Sequence, residues 1–117
     1  MLEANKTFKL YEAARHVFDE AYRVINFIEV CKSNLSDKHK LVLLGKLMNE
    51  SQTSCRDLYE CSCPEIDHIT ELARKNGAYG SRLTGAGWGG CTVSLVDEHH
   101  SQSFIKAMIE QHYSARP

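Results

Sequence analysis

The stretch Gly80-Ser81-Arg82-Leu83-Thr84-Gly85-Ala86-Gly87-Trp88-Gly89-Gly90-Cys91 carries five of the chain's seven glycines. Glycine loses more backbone freedom on folding than any other residue, so a cluster of this density marks a backbone that turns sharply or is approached closely. Backbone N–H groups exposed at such a turn, with the Thr84 hydroxyl beside them, would form a concave anion site. Arg82 is the one cation in the stretch, suited either to an anion or to a structural carboxylate. Two string matches fail on context. Gly85-x-Gly87-x-x-Gly90 spells the dinucleotide fingerprint, but a strand follows where that fingerprint needs a helix. Gly80-x-x-x-x-Gly85 opens like a phosphate-binding P-loop, but Ala86-Gly87 stands where Lys and Ser/Thr are required. The same glycines would also serve a hairpin that only packs tightly.

Glu50 to Tyr59 is dense in hydroxyls and hydrogen-bonding side chains. Ser51 and Ser54 in it could line a sugar or phosphate cleft, or the segment could be a capped loop with a helical turn. Cys55, Cys61 and Cys63 are spaced C-x5-C-x-C, without the C-x2-C knuckles of zinc sites. Buried free thiols are the expectation there, and no metal site is assigned. His16 is read as a packing or surface histidine and not a ligand, on the ground that no second ligand lies at i+3 or i+4. His99 and His100 are read as part of an exposed polar turn over Asp97 to His100.

The elements that would position these groups follow from periodicity. A helix is expected from about Phe8 to Val30, with Leu10, Ala14, Val17, Ala21, Val24 and Ile28 forming a stripe that Phe18, Tyr22 and Ile25 widen, laid on a core. Ser36 or Asp37 should cap a second helix over about Lys38 to Asn49, burying Leu41, Leu44, Leu47 and Met48, with Gly45 marking close helix packing. Ser62 and Glu65 read as a capping box, with Pro64 in the first turn of a third helix that buries Ile66, Ile69, Leu72 and Ala73. Its stop is Lys75-Asn76-Gly77. Strands are expected over Ala78 to Leu83 and Cys91 to Val96, then a last helix over about Ser101 to Ser114 with Phe104, Ile105, Met108, Ile109 and His112 on one side. The order is α+β, with helices packed on one face of a small antiparallel sheet. Two strands make a poor sheet, so a terminus should add a third or the sheet stays incomplete.

At 117 residues the chain reads as one domain, 1–117. A formal charge of -1 gives no electrostatic case for nucleic acid or anionic membrane. No run is long enough to span a bilayer, and the N-terminus carries no signal-peptide pattern. Five cysteines is an odd count, and without a secretory signal a disulfide framework is not expected; a cytoplasmic protein is.

The glycine stretch resembles the third signature motif of the GHMP kinases, named for galactokinase, homoserine kinase, mevalonate kinase and phosphomevalonate kinase. Met48-Asn49-Glu50-Ser51-Gln52-x-Ser54-Cys55, the run Asp57 to Asp67, and Ala14-Arg15-His16-Val17 with Glu20 and Arg23 are similar to the galactokinase branch. Cys61-Ser62-Cys63-Pro64-Glu65 and Gly85-Ala86-Gly87-Trp88-Gly89-Gly90 resemble most closely the N-acetylgalactosamine kinases and fungal galactokinases. The resemblance implies a ferredoxin-like C-terminal domain of a two-domain enzyme that moves the ATP γ-phosphate, with Mg2+, to the anomeric hydroxyl of galactose or N-acetylgalactosamine. It implies a cleft loop made by Gly80, Ser81, Arg82, Thr84, Gly85, Ala86, Gly87, Gly89 and Gly90, with Ser51 and Ser54 as further cleft-lining residues. The family's sugar motif, its ATP loop and its catalytic aspartate match nothing here, and the chain stops short of the usual final strand. The chain alone is therefore expected to be inactive, with the N-terminal kinase domain as its partner. Some fungal relatives act as sugar- and ATP-binding regulators of transcription, a second implication; a self-associating helical module is a third reading of Phe8 to Val30.

Overall fold

The computed structural model describes residues 2–85 and 87–113. Three helices come first: α1 (Leu2–Lys32), α2 (Asp37–Asp57) and α3 (Pro64–Lys75). Strands β1 (Gly80–Thr84) and β2 (Cys91–Leu95) follow, then a 3-10 turn (Glu98–His100), α4 (Ser101–Met108) and a π-helical turn (Ile109–Tyr113). The α+β reading holds, and the described sheet has two antiparallel strands. Expected residue Ser114 of the last helix lies outside the described residues.

The local signals act much as elementary chemistry requires. Ser36 caps α2, its hydroxyl accepting from the His39 N–H at 3.3 Å. Pro64 opens α3, where a missing N–H costs nothing. Asn76 closes it, and Gly77 takes φ +100°. The Ser62–Glu65 capping box does not form. Cys63 is the N-cap and makes no side-chain cap bond, because the Ser62 hydroxyl is turned to Asp67 at 2.6 Å.

α2 runs eight residues past its expected end at Asn49, absorbing most of Glu50 to Tyr59, the segment read either as cleft lining or as a capped loop with a helical turn. The polar density there is helical: Ser51, Gln52, Ser54 and Cys55 share one buried face. That face seals the outer edge of β1. Asn49 Oδ1 accepts from the Ser81 N–H at 3.0 Å while its amide donates to the Tyr79 carbonyl at 3.2 Å. Gln52 Oε1 accepts from the Leu83 N–H at 2.8 Å. Two side-chain amides thus replace the neighbouring strand that β1 lacks, and strand pairing is with β2, Arg82 opposite Val93 and Ser81 opposite Ser94. Replacing Gln52 by leucine leaves the buried Leu83 N–H without an acceptor. The expected loss is about 1–3 kcal/mol, read as a lower urea midpoint with unchanged slope.

Gly45 marks close packing, but against a strand and not a helix. A Cβ there would enter the Tyr79 carbonyl, and one at Gly80 would enter the Gly45 carbonyl. The two glycines let α2 cross the start of β1 backbone to backbone. Below this crossing sit two small cores, one of Cys55, Cys61, Ile66 and Leu83, the other of Ala73, Ala78 and Met108, flanked by Ile69, Leu72, Val96 and Phe104.

The expected core stripe of α1 is overturned. Leu10, Val17, Val24 and Ile28 are 63, 56, 54 and 49 % exposed, and Phe18, Tyr22 and Ile25 are exposed as well. α1 turns its polar face to α2 and β1 through His16, Glu20 and Arg23. Of the last helix's expected face, Met108 and His112 are buried while Ile105 and Ile109 are half exposed.

Candidate functional site

The loop after β1 is held by a latch. The Trp88 N–H donates to the Cys61 carbonyl at 2.5 Å and the indole Nε1–H to the Glu60 carbonyl at 2.8 Å. Both Trp88 and Glu60 are non-glycine residues in left-handed backbone, φ 58° and 56°, a conformation that persists where the surroundings over-determine it. Gly87 is required by this latch, since a Cβ would lie 2.5 Å from the Cys61 carbonyl oxygen. Gly85, Gly89 and Gly90 differ. Their φ angles are +83°, +152° and +90°, and a Cβ at each would meet no atom within 4 Å. These three are left-handed backbone beside open space, as a loop would be that admits an anion or a second surface.

Behind the loop the other candidate residues converge on one carboxylate. Glu20 accepts from Arg23 Nε at 2.8 Å, from the Ser51 hydroxyl at 2.6 Å and, more loosely, from Arg82 Nη1 at 3.5 Å. Arg82 Nε also donates to the Leu83 carbonyl at 2.7 Å. Arg82 thus reaches a carboxylate of α1 and the backbone of its own strand. Ser51 and Ser54 are buried and bonded inward, Ser54 to His16 Nδ1 at 2.7 Å. Ser81 is fully buried, with its hydroxyl 2.8 Å from that of Ser94. Gly80 serves the α2 crossing, and Thr84 is exposed at the end of β1. Ala86 lies outside the described residues. The expected loop residues thus divide: Gly80 to Arg82 in the frame, Gly87 in the latch, and Thr84, Gly85, Gly89 and Gly90 at the open end.

Sequence reasoning missed the hub. Glu20 stands four residues after His16 and three before Arg23, one polar face opposite the apolar stripe; that spacing was the available signal. Burial alone would raise the Glu20 carboxyl, but the hydrogen bonds of Ser51 and Arg23, with the charges of Arg23 and Arg82, hold it below the ordinary range. Burial lowers the His16 pKa, the Glu20 charge opposing and Arg23 and Arg82 reinforcing. Burial, with Cys61 beside it, pushes the Cys55 thiol up to about 12. With its sulfur 4.0 Å from His16 Nε2, Cys55 is a protonated thiol beside a neutral imidazole and not an activated nucleophile.

Both Glu20 and His16 are depressed in the folded state, so each contributes stability present above its unfolded pKa and lost as pH falls through the folded one. The urea midpoint should fall below pH 6.5, the ordinary value for His16, and again through the carboxylate range. His16→Gln should flatten the first decline and Glu20→Gln the second.

Two hollows flank the hub. One, about 630 Å³, is bordered by both charged and apolar side chains, Arg23, Lys46, Glu50 and Asp57 beside Val42 and Leu58. The other, about 430 Å³, is apolar, between Val24, Phe27 and Ile28 of α1, Leu47 and Met48 of α2, and Val93 of β2. Arg23 lines both, and its Nη2 is buried without a hydrogen-bond partner among the described residues.

Residues 29–115 match the family model described as GHMP kinases C terminal. The chain belongs to the GHMP kinase family. Its frame of α2, α3 and the β1–β2 loop is thus a GHMP kinase C-terminal domain. It is 49 % identical to a galactokinase of Dictyostelium discoideum, over 92 % of this chain and 24 % of that protein. It is 55 % identical to a galactokinase of Saccharomyces cerevisiae, over 78 % of this chain and 18 % of that protein. Among solved structures, Lactococcus lactis galactokinase complexed with galactose superposes with a TM-score of 0.77 and 32 % identity, covering 93 % of this chain and 28 % of that one. L. major mevalonate kinase in complex with R-mevalonate follows at 0.67 and 27 %, covering 82 % and 28 %. The chain spans about a quarter or less of the length of these curated relatives.

Proposed function

We propose that this chain is the C-terminal domain of a sugar kinase that moves the ATP γ-phosphate to the anomeric hydroxyl of galactose or N-acetylgalactosamine. The catalytic aspartate and the sugar and ATP motifs then belong to polypeptide outside these 117 residues, and the chain by itself is inactive. The observation that carries the reading is the latched loop whose Gly85, Gly89 and Gly90 border open space, in a chain 49 and 55 % identical to galactokinases.

In such a reaction the sugar oxygen bonds to the γ-phosphorus, the bond to the β,γ-bridging oxygen breaks, and ADP leaves. The protein's share is positioning and charge stabilisation. Backbone N–H groups of the loop and the Thr84 hydroxyl fit an anionic phosphate or the phosphate-binding loop of the N-terminal domain. They do not fit Mg2+, which takes oxygen ligands from carboxylates and phosphates; Gly80 to Gly90 contains no carboxylate. We assign Mg2+ to the nucleotide and the rest of the enzyme. Arg23, Glu20, Ser51, Ser54 and Arg82 act here as frame, holding β1 and hence the loop at fixed height over the cleft. No described helix is long and apolar enough to cross a membrane, and a cytoplasmic location belongs to the same proposal.

The test of substrate is phosphorus NMR of the products formed by the full-length polypeptide from ATP with each sugar in turn. A sugar 1-phosphate from galactose, from N-acetylgalactosamine or from both names the substrate. Binding of sugar and ATP without product points instead to the regulatory kind of relative.

A further inference from the structure

His16, Glu20 and Cys55 offer three ligand atoms that all lie within 4.8 Å of one another, with His16 and Cys55 buried. We propose that they form a binding site for a zinc-like divalent ion, with an open fourth position and separate from the phosphate chemistry of the loop. Imidazole, carboxylate and thiol form a donor set that zinc accepts in three-ligand sites, with a fourth position left to water. Magnesium would refuse the thiol.

What distinguishes these three from a chance cluster is the state of their other atoms. A ligating histidine is usually oriented by a hydrogen bond at its second nitrogen, and a ligating carboxylate is itself hydrogen-bonded. His16 Nδ1 is fixed by the Ser54 hydroxyl at 2.7 Å, which leaves Nε2 toward Cys55 Sγ, 4.0 Å away. Glu20 is fixed by Ser51 and Arg23. The Tyr59 ring lies tilted by 39° against the imidazole, with ring centres 5.2 Å apart. His16 and Glu20 are one helical turn apart on α1, and Cys55 faces them from α2. The ion would join the two helices that frame β1.

Charge does not forbid it. The Cys55 thiol gives its proton to solvent on binding, so thiolate and carboxylate together balance the divalent ion. Ligands and ion then sum to zero where Glu20 alone carried −1, so Arg23 and Arg82, the cations that face Glu20, meet one added positive charge that their exposure to solvent must screen. Ligand atoms around tetrahedral zinc stand about 3.5 Å apart, so donors within 4.8 Å of one another must close by about 1.3 Å at most, within reach of side-chain rotation. Arg82, held at 3.5 Å, is the contact that yields, since its Nε keeps the Leu83 carbonyl.

Cobalt(II) is the probe, titrated into the full-length polypeptide carrying Cys31→Ser and Cys91→Ser, which removes the exposed thiols. The expected result is one equivalent bound, with a near-ultraviolet thiolate-to-cobalt band, visible tetrahedral bands and a raised Tm. Cys55→Ser should abolish the thiolate band. Glu20→Gln, which keeps the side chain's shape, should weaken binding at least about tenfold and remove the Tm shift. Should Cys55→Ser fail to fold, Cys55→Ala and Glu20→Gln carry the test. A thiolate band that survives Cys55→Ser or Cys55→Ala, an affinity unchanged by Glu20→Gln, or no band at millimolar cobalt in a folded protein, overturns the site. Neither outcome bears on the kinase reading, which is read from phosphate transfer.

Discussion

Gly45→Ala is expected to destabilise the domain severely, although alanine is the better helix former. Position 45 lies inside α2, where exchanging glycine for alanine favours the helix by about 1 kcal/mol. Propensity alone therefore predicts a more stable protein. Packing predicts the opposite. The added Cβ would enter the Tyr79 carbonyl and crowd its carbon and Cβ, and backbone cannot rotate away as a flexible side chain does. Relief requires α2 to lift from β1. That movement would pull Asn49 from Ser81 and Gln52 from Leu83, unsealing the strand edge. Overpacking of this kind costs about 3 kcal/mol, leaving a net loss of about 2 kcal/mol after the helical gain. Thermal unfolding by circular dichroism reads the sign directly, and a rise in Tm would contradict the crossing.

Gly85→Ala is expected to do the reverse, leaving the fold nearly intact while removing activity. A Cβ at Gly85 meets nothing within 4 Å, so the cost within this domain is the left-handed backbone at φ +83°, about 1–2 kcal/mol for an L-residue. If the loop faces phosphate or the ATP-binding domain, the new methyl group fills the space that the approaching partner needs, or turns a backbone donor away from it. Losing one preorganised donor typically lowers turnover by about 100-fold or more. The full-length Gly85→Ala enzyme should thus show kcat/KM lowered about 100-fold with Tm only slightly reduced. Were the loop a mere turn, activity would fall only in step with the folded fraction.

How much of this was legible depends on what each signal reports. Caps and stops are local chemistry, so Ser36, Pro64 and Gly77 were readable, as were the strands on either side of the glycines. The Ser62–Glu65 box failed because a hydroxyl has several partners available and Asp67 with Gln52 won. Over Glu50 to Tyr59 polarity leaves cleft lining and a capped loop both open, whereas the spacing of Ser51, Gln52, Ser54 and Cys55 on one face is helical, and α2 runs on to Asp57. The stripe on α1 was real as a pattern but exposed in fact, since periodicity shows that a face is apolar and not what covers it. The Glu20 hub draws on α1, α2 and β1, with partners 31 and 62 residues away, and no window of sequence contains such a set. The glycine loop was legible as a loop. Which glycines serve packing and which border open space required the backbone around them.

The most direct test of the account is ATP-dependent phosphorylation by the full-length polypeptide, with galactose and N-acetylgalactosamine as acceptors, beside its Gly85→Ala variant. The account predicts sugar-dependent ADP release by the parent and about a hundredfold loss in the folded variant. A folded parent that binds ATP yet releases no ADP with either sugar, or a variant as active as the parent, would contradict it.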